Sequence, residues 1–190
     1  MGGTTSTLFN GLVLPNAWNT DDKSQFVSIY SSGLKVNYTD PKDYNIIVIR
    51  ANNPIPSQCG LFYFEIEIIN EGKNGMIGLG YCTKQNNITD FMPGRKYVED
   101  KENKENKSWG NDDKMIFYTK NGINLGIACY LPNHLYGLKN NLYPCIGLRS
   151  QDASIEANFG RKKFKYLTMT NDDIDDAWAI EAYKLVEVGK

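Results

Sequence analysis

The segment from Phe62 to Ile68 constrains this 190-residue sequence most, because its apolar and polar side chains alternate strictly. A period of two is the repeat of a β-strand that has one buried face and one solvated face. The alternation therefore predicts a strand on the surface of a core. Its buried set is Phe62, Phe64, Ile66 and Ile68, and its solvated set is Tyr63, Glu65 and Glu67.

Similar short strand signals, bounded by Gly, Asn or Pro, recur along the chain. Between two of them, the pair Asn121-Gly122 suits the positive φ of a hairpin turn, and in another, Gly78 and Gly80 indicate close approach of backbone. Many short strands without intervening helical patterns predict an all-β fold, an antiparallel two-sheet sandwich. The predicted strands are Phe26 to Tyr30, Leu34 to Tyr38, Ile46 to Arg50, Phe62 to Ile69, Met76 to Cys82, Met115 to Thr119, Leu125 to Tyr130, Leu142 to Leu148 and Ile155 to Phe159.

The sandwich is assigned to residues 12–168, and a short helix is predicted for residues 169–190. Thr170 and Asp173 resemble a capping box, and the apolar residues that follow recur at helical spacing up to Leu185. We expect this helix to pack on the sandwich or to extend from it.

Residues 1–11 predict a flexible leader. Gly2 and Ser6 fit the pattern for N-myristoylation, although an unmodified polar leader explains them too. The charged run 95–107 predicts an exposed loop, because it has no apolar periodicity.

Composition argues against several classes of function. Lys and Arg number 21 against 22 Asp and Glu, so no net field draws the chain to nucleic acid. No apolar run is long enough to cross a bilayer. The four cysteines form no C-x-x-C pair, so we expect neither a metal site nor a dithiol site, no cofactor, and reduced thiols in the cytosol or nucleus. They are Cys59, Cys82, Cys129 and Cys145.

Signals for catalysis are weak. His134 is the only histidine, it stands in a loop-like segment, and no nucleophile motif accompanies it. Glu65 and Glu67 could serve a carbohydrate-binding or hydrolytic sandwich, but a solvated strand face explains this pair more simply. We therefore expect a protein that is not an enzyme.

Eight short motifs in a fixed order carry a family resemblance. Together they resemble a SPRY domain, and the first two are typical of its RanBPM type. The resemblance runs from Leu14 through the C-terminal segment and implies a two-sheet sandwich that binds short segments of partner proteins through loops at one end. The motifs are Leu-Pro-Asn-Ala-Trp from Leu14, Arg-Ala-Asn-Asn-Pro-Ile-Pro from Arg50, Cys-Gly-Leu-Phe-Tyr-Phe-Glu from Cys59, Met-Pro-Gly from Met92, Ser-Trp-Gly from Ser108, Phe-Tyr-Thr-Lys-Asn-Gly from Phe117, Leu-Tyr-Pro from Leu142 and Glu-Ala-Asn-Phe-Gly from Glu156.

The resemblance also implies a surface for a protein or peptide partner, while the oligomeric state stays open. Each residue of this surface could equally be an ordinary loop residue, and Trp109 could instead fill the core. The candidates are Tyr38, Asp40 and Lys42 in a first loop, Met92, Pro93, Arg95 and Tyr97 in a central loop, Trp109, and Arg149 with Ser150 in a late loop.

Two departures from the family pattern stand out. Family members carry a further stretch, long enough for two or three strands, between the positions of Gly110 and Phe117. Its loss leaves strand edges without partners, so the chain is either a splice or gene-model variant or rearranges locally. RanBPM-type proteins also continue into helical LisH, CTLH and CRA segments that place them in a ubiquitin-ligase assembly. Membership of that assembly is therefore a hypothesis for this chain.

Overall fold

Ten strands make up the regular structure of the described part of the chain. The computed structural model describes residues 12–40, 42, 45–56, 59, 62–84, 92–93, 114–121, 123–131, 142–166 and 177–184, and no helix occurs among them. The strands are β1 (Val27–Ile29), β2 (Lys35–Tyr38), β3 (Ile47–Arg50), β4 (Phe62–Asn70), β5 (Ile77–Cys82), β6 (Lys114–Lys120), β7 (Ile123–Leu131), β8 (Tyr143–Leu148), β9 (Ser154–Asn158) and β10 (Ala177–Lys184). All nine strands predicted from the sequence are present, and the all-β sandwich is confirmed.

The strands form two sheets. The larger has seven strands in the order β1-β2-β9-β4-β10-β6-β7, and the smaller has three in the order β3-β8-β5. All pairs are antiparallel except the two that β10 makes with β4 and β6. Asn121, in the turn between β6 and β7, has a φ of 52°, which agrees with the hairpin predicted there.

The core lies between the two sheets and includes side chains of β1, β2, β3, β4, β8 and β9, with side chains of β5 packed against it. Phe64 of β4 stacks on Phe159 with ring centroids 5.4 Å apart, and the Trp18 ring meets the same Phe159 edge to face at 5.1 Å. Burying each such aromatic ring removes about 150–250 Å² from water, which makes the cluster a large part of the stabilisation. Aliphatic residues of both sheets surround it: Val36, Ile47, Ile49, Ile66, Ile146, Leu148 and Ile155.

Trp18 joins the two motifs that distinguish the RanBPM type. It forms an isolated antiparallel bridge with Ala51, and its indole N–H donates to the carbonyl of Leu34 over 2.9 Å. The backbone N–H of Asn52 donates to the carbonyl of Ala17 next to it. The N-terminal motif is therefore fixed along β3 and at the turn before β2.

The predicted C-terminal helix is wrong wherever the structure describes this segment. Residues 177–184 form β10, which pairs with β4 and β6 along its length. The apolar residues there fit both periods, because Trp178, Ile180 and Ala182 also alternate. Tertiary context decides between the two periods, since a strand at this place supplies neighbours to two edges that would otherwise be open.

None of the described residues belongs to a helix that is long and apolar enough to cross a membrane.

Replacing Trp18 by Phe tests the aromatic centre of the core. We expect Trp18→Phe to lower the free energy of unfolding by about 2–4 kcal/mol, because phenylalanine has one ring in place of the two fused rings of the buried indole and lacks the N–H that donates to Leu34. Urea unfolding measures the change. Val13 is 66% exposed, so Val13→Ala should change stability by less than about 0.5 kcal/mol. Equal effects of the two changes would contradict a central role for Trp18.

Candidate partner-binding end

Three connections meet at one end of the sandwich, which we call the loop end. They are the loop between β2 and β3, the turn 71–76 between β4 and β5, and the turn 149–153 between β8 and β9. Ile47, Leu148 and Ile77 stand in one row across the small sheet, which sets these connections side by side. Five of the ten candidate residues lie in or beside these connections.

Tyr38 and Asp40 shape the loop after β2 from inside. Tyr38 is 3% exposed, and its hydroxyl donates to the carbonyl of Asn45 over 2.7 Å. The buried carboxylate of Asp40 accepts hydrogen bonds from the backbone N–H of Lys42 (3.0 Å) and the side-chain amide of Asn45 (2.7 Å). Because these polar groups point into the protein and bind other residues of the loop, they hold the loop in this conformation. Their contact with a partner stays a prediction.

Ser150 fastens the two turns together. Its side chain is fully buried, its hydroxyl donates to the carbonyl of Glu71 (2.8 Å), and its oxygen accepts from the N–H groups of Asn74 (3.1 Å) and Gly75 (3.2 Å). The backbone N–H of Arg149 also donates a hydrogen bond to the carbonyl of Met76 (3.0 Å), which joins the same turns. The hydroxyl therefore serves three backbone groups, and its predicted contact with a partner is untested.

Met92 and Pro93 lie over the outer side of the small sheet. There Gly78 of β5 and Gly147 of β8 are direct partners. A Cβ atom on Gly78 would lie 2.3 Å from the Pro93 carbonyl oxygen, and one on Gly147 would lie 2.5 Å from Pro93 Cδ. Only glycine leaves room for this approach, as the sequence predicted for Gly78. Met92 and Pro93 are buried, so they act here as a cover on the sheet.

Lys42 and Arg149 remain open to solvent among the described candidates. Lys42 is exposed and Arg149 is half-buried. Between the turns, Met76 exposes 43% of its surface, and sequence reasoning missed this residue because it read Met76 as part of a strand. The loop end thus presents an apolar side chain next to basic ones. The predicted candidates Arg95, Tyr97 and Trp109, and the lipidation candidate Gly2, lie outside the described residues.

The prediction that Tyr63 and Glu65 of β4 face solvent is wrong, because both side chains are buried. Glu65 is 1% exposed, and its carboxylate accepts hydrogen bonds from the Tyr63 hydroxyl (3.0 Å) and the backbone N–H groups of Lys165 (3.0 Å) and Tyr166 (2.8 Å). Phe164 packs edge to face on Tyr63 at 4.8 Å. The chain after β9 therefore covers this part of the sheet. A sugar has no path to Glu65 in this conformation.

Two cysteines meet on the outer side of the small sheet, although no sequence spacing linked them. Cys82 and Cys145 are buried with Val48, and their thiols share a hydrogen bond. The hydrogen bond from Cys145 lowers the pKa of the Cys82 thiol, and the positive charge of Arg50 lowers it further. Burial acts in the opposite direction, but the net effect is a lowered pKa. Burial raises the pKa of Cys145 well above its usual value. Within the described residues, no group of three or more His, Cys, Asp or Glu side chains could hold a metal ion.

The fold places this protein in the class of two-sheet β-sandwiches that carry SPRY motifs, with hydrogen-bonded turns at one end. No family model matches the chain. It is 31% identical to the Ran-binding proteins 9/10 homolog of Drosophila melanogaster, 28% identical to human Ran-binding protein 9 and 27% identical to the Ran-binding protein M homolog of Arabidopsis thaliana. These matches cover 80%, 86% and 82% of this chain. The chain is therefore a homologue of the RanBPM-type proteins, as its motifs predicted.

The chain spans only part of these relatives, namely 18% of the Drosophila protein, 24% of the human protein and 38% of the Arabidopsis protein. The alignment with the human protein has 190 positions, but only 86% of the 190 residues of this chain take part in it. About 27 positions of the alignment therefore have no counterpart in this chain. The other two alignments give the same figure. This number supports the missing internal stretch, whose place between Gly110 and Phe117 stays a prediction.

Replacing Ser150 by Ala measures how much the turns depend on its hydroxyl. We expect a loss of about 1–3 kcal/mol in the free energy of unfolding, because the backbone groups of Glu71, Asn74 and Gly75 all lose the buried Ser150 hydroxyl as their hydrogen-bond partner. Chemical denaturation compares it with Ser28→Ala, whose side chain is exposed on β1 and whose loss should be nearly neutral. A neutral Ser150→Ala would show that the hydroxyl does not stabilise the turns.

Replacing Glu65 by Gln separates a structural carboxylate from a catalytic one. An amide keeps only one acceptor oxygen and turns an N–H₂ group towards donors, so Glu65→Gln should cost about 2 kcal/mol or more of stability. Thermal and urea melts test this, with Glu67→Gln at a half-buried position as the matched control. A stable Glu65→Gln variant would remove the structural role. Loss of a measured glycoside hydrolase activity without loss of stability would revive the catalytic one.

Proposed function

We propose that this chain is a non-catalytic protein-interaction module, an adaptor or scaffold that binds a segment of a partner protein at its loop end. The observation that carries the proposal is that Met76, Lys42 and Arg149 reach solvent on connections that hydrogen bonds of the buried Asp40 and Ser150 side chains fasten. A rigid surface loses little conformational entropy on binding, which favours affinity. Relatives of this chain are named Ran-binding proteins, and these names support the proposal that its ligand is a protein.

The chemistry of the loop end indicates the kind of segment that it fits. Met76 offers an apolar contact, and the exposed Lys42 and Lys73 flank the same end together with the half-buried Arg149. Glu71 and Asp152 are also exposed there, so the described surface of the loop end carries charges of both signs. A partner segment with an apolar side chain between charged or polar residues complements this arrangement.

We further propose a link to a CTLH-type ubiquitin-ligase assembly, with Ran-type GTPases as a second class of partner to test. The first rests on the family resemblance and the second on the names of the relatives. A location in the cytoplasm, and also in the nucleus, accords with these partners. Membrane association through a myristoylated Gly2 would be weak, since one acyl chain without a basic cluster binds membranes marginally.

Charge and polarity reversal at the loop end tests the proposed surface. Immobilised full-length chain captures proteins from an extract of its source cells, and mass spectrometry quantifies them for the wild type, Lys42→Glu and Met76→Asp. We expect each change to reduce capture of the specific partners about tenfold or more, equivalent to about 1.4 kcal/mol.

Matched controls carry the same chemical changes away from the loop end. Lys163→Glu alters an exposed lysine after β9, and Val13→Asp alters an exposed apolar residue before Trp18. Both should capture partners as the wild type does, and all variants should show the same thermal melt. Equal capture by all four folded variants would refute the assigned surface.

A further inference from the structure

β10 occupies a slot inside the large sheet, between β4 and β6. Seven residue pairs join it to β4, from Trp178 opposite Phe62 to Lys184 opposite Ile68. Six pairs join it to β6, from Ala177 opposite Met115 to Ala182 opposite Lys120. Both ladders are parallel, whereas all other ladders of the described strands are antiparallel.

The slot requires a strand. Without β10, β4 (nine residues) and β6 (seven residues) would each present an open ladder of N–H and C=O groups to the other. Unpaired backbone groups at the centre of a sheet are costly, and open edges recruit any strand that fits them. The slot is therefore a ready-made acceptor for one extended segment.

The segment that fills it comes from the far end of the chain and not from the neighbouring sequence. About 27 positions of the relatives have no counterpart here, so this chain has less sequence from which to build the centre of the sheet. The last described residues before β10 are Lys165 and Tyr166, whose N–H groups bind Glu65 at the middle of β4. Ten residues connect them to Ala177, and a chain of that length can span about 33 Å. β10 is thus covalently distant from both of its neighbours.

We propose that the slot between β4 and β6 is a strand-binding site whose ligand is the segment 177–184, bound in cis in the free chain and separable from the rest of the sheet. Backbone ladders on both sides supply its affinity, and the alternation of Trp178, Ile180 and Ala182 with smaller and polar residues supplies its specificity. The connection gives the segment a high effective concentration, so the same sequence in trans binds only when the cis strand is weakened. The proposal does not depend on the proposed function, although β10 ends at Lys184 opposite Ile68, close to the turn 71–76 of the loop end.

A proline inside β10 tests the site in the full-length chain. Ala179→Pro removes a ladder N–H at the centre of the strand, whereas Ala179→Ser keeps it. A fluorescent peptide of residues 175–186 is titrated into the wild type and both variants by anisotropy. We expect it to bind Ala179→Pro at least tenfold more tightly than the wild type or Ala179→Ser. The same peptide carrying Ala179→Pro should bind none of them. A folded Ala179→Pro chain that ignores the peptide, or equal binding to all three proteins, would overturn the proposal.

A second experiment covers the case in which Ala179→Pro does not fold. A protease site is inserted in the connection of the wild-type chain, and the folded protein is cut there. The C-terminal fragment should remain bound through gel filtration and be displaced within days by excess peptide 175–186, but not by the peptide carrying Ala179→Pro. A fragment that separates while the body keeps its β-sheet spectrum and melting temperature would refute the site, and so would one that the excess peptide does not displace.

Discussion

A strand inside a sheet needs a hydrogen-bonding neighbour on each side, and this requirement organises the larger sheet of the protein. β4 meets it with β9 on one edge and β10 on the other. Glu65 of β4 adds a third attachment, because its buried carboxylate holds the backbone that leaves β9. The same strand therefore supports the core, the cover on its outer face and the return of the chain end into the sheet.

The smaller sheet is covered on both sides. Its inner side joins the aromatic core, and its outer side carries Met92 and Pro93 over paired glycines. At the end of β3, the buried guanidinium of Arg50 donates to Asp22 and to the carbonyls of Thr83 and Lys84. These contacts fasten the end of the small sheet that lies opposite the loop end, while Asp40 and Ser150 fasten connections at the loop end itself. Such a scaffold suits recognition by a few exposed side chains.

The candidate surface illustrates how far a family resemblance carries. It directed attention to connections that lie together, since Tyr38, Lys42 and Ser150 are at one end of the sandwich. It could not rank them, because exposure depends on contacts between turns that are distant in sequence. The polar atoms of Ser150 and Asp40 form hydrogen bonds with backbone groups of the protein, whereas Met76, which no motif marked, is exposed to solvent.

The sequence by itself determined nine of the ten strands and the sandwich, because a period of two and the turn residues act over a few neighbouring positions, and its motifs carried the resemblance to RanBPM-type proteins. Only the tertiary structure decided three other features: the burial of Glu65, the meeting of Cys82 with Cys145, and the extended form of residues 177–184. Each of these depends on a partner far along the chain. For 177–184 the local pattern allowed both helix and strand, and the open edges of β4 and β6 selected the strand.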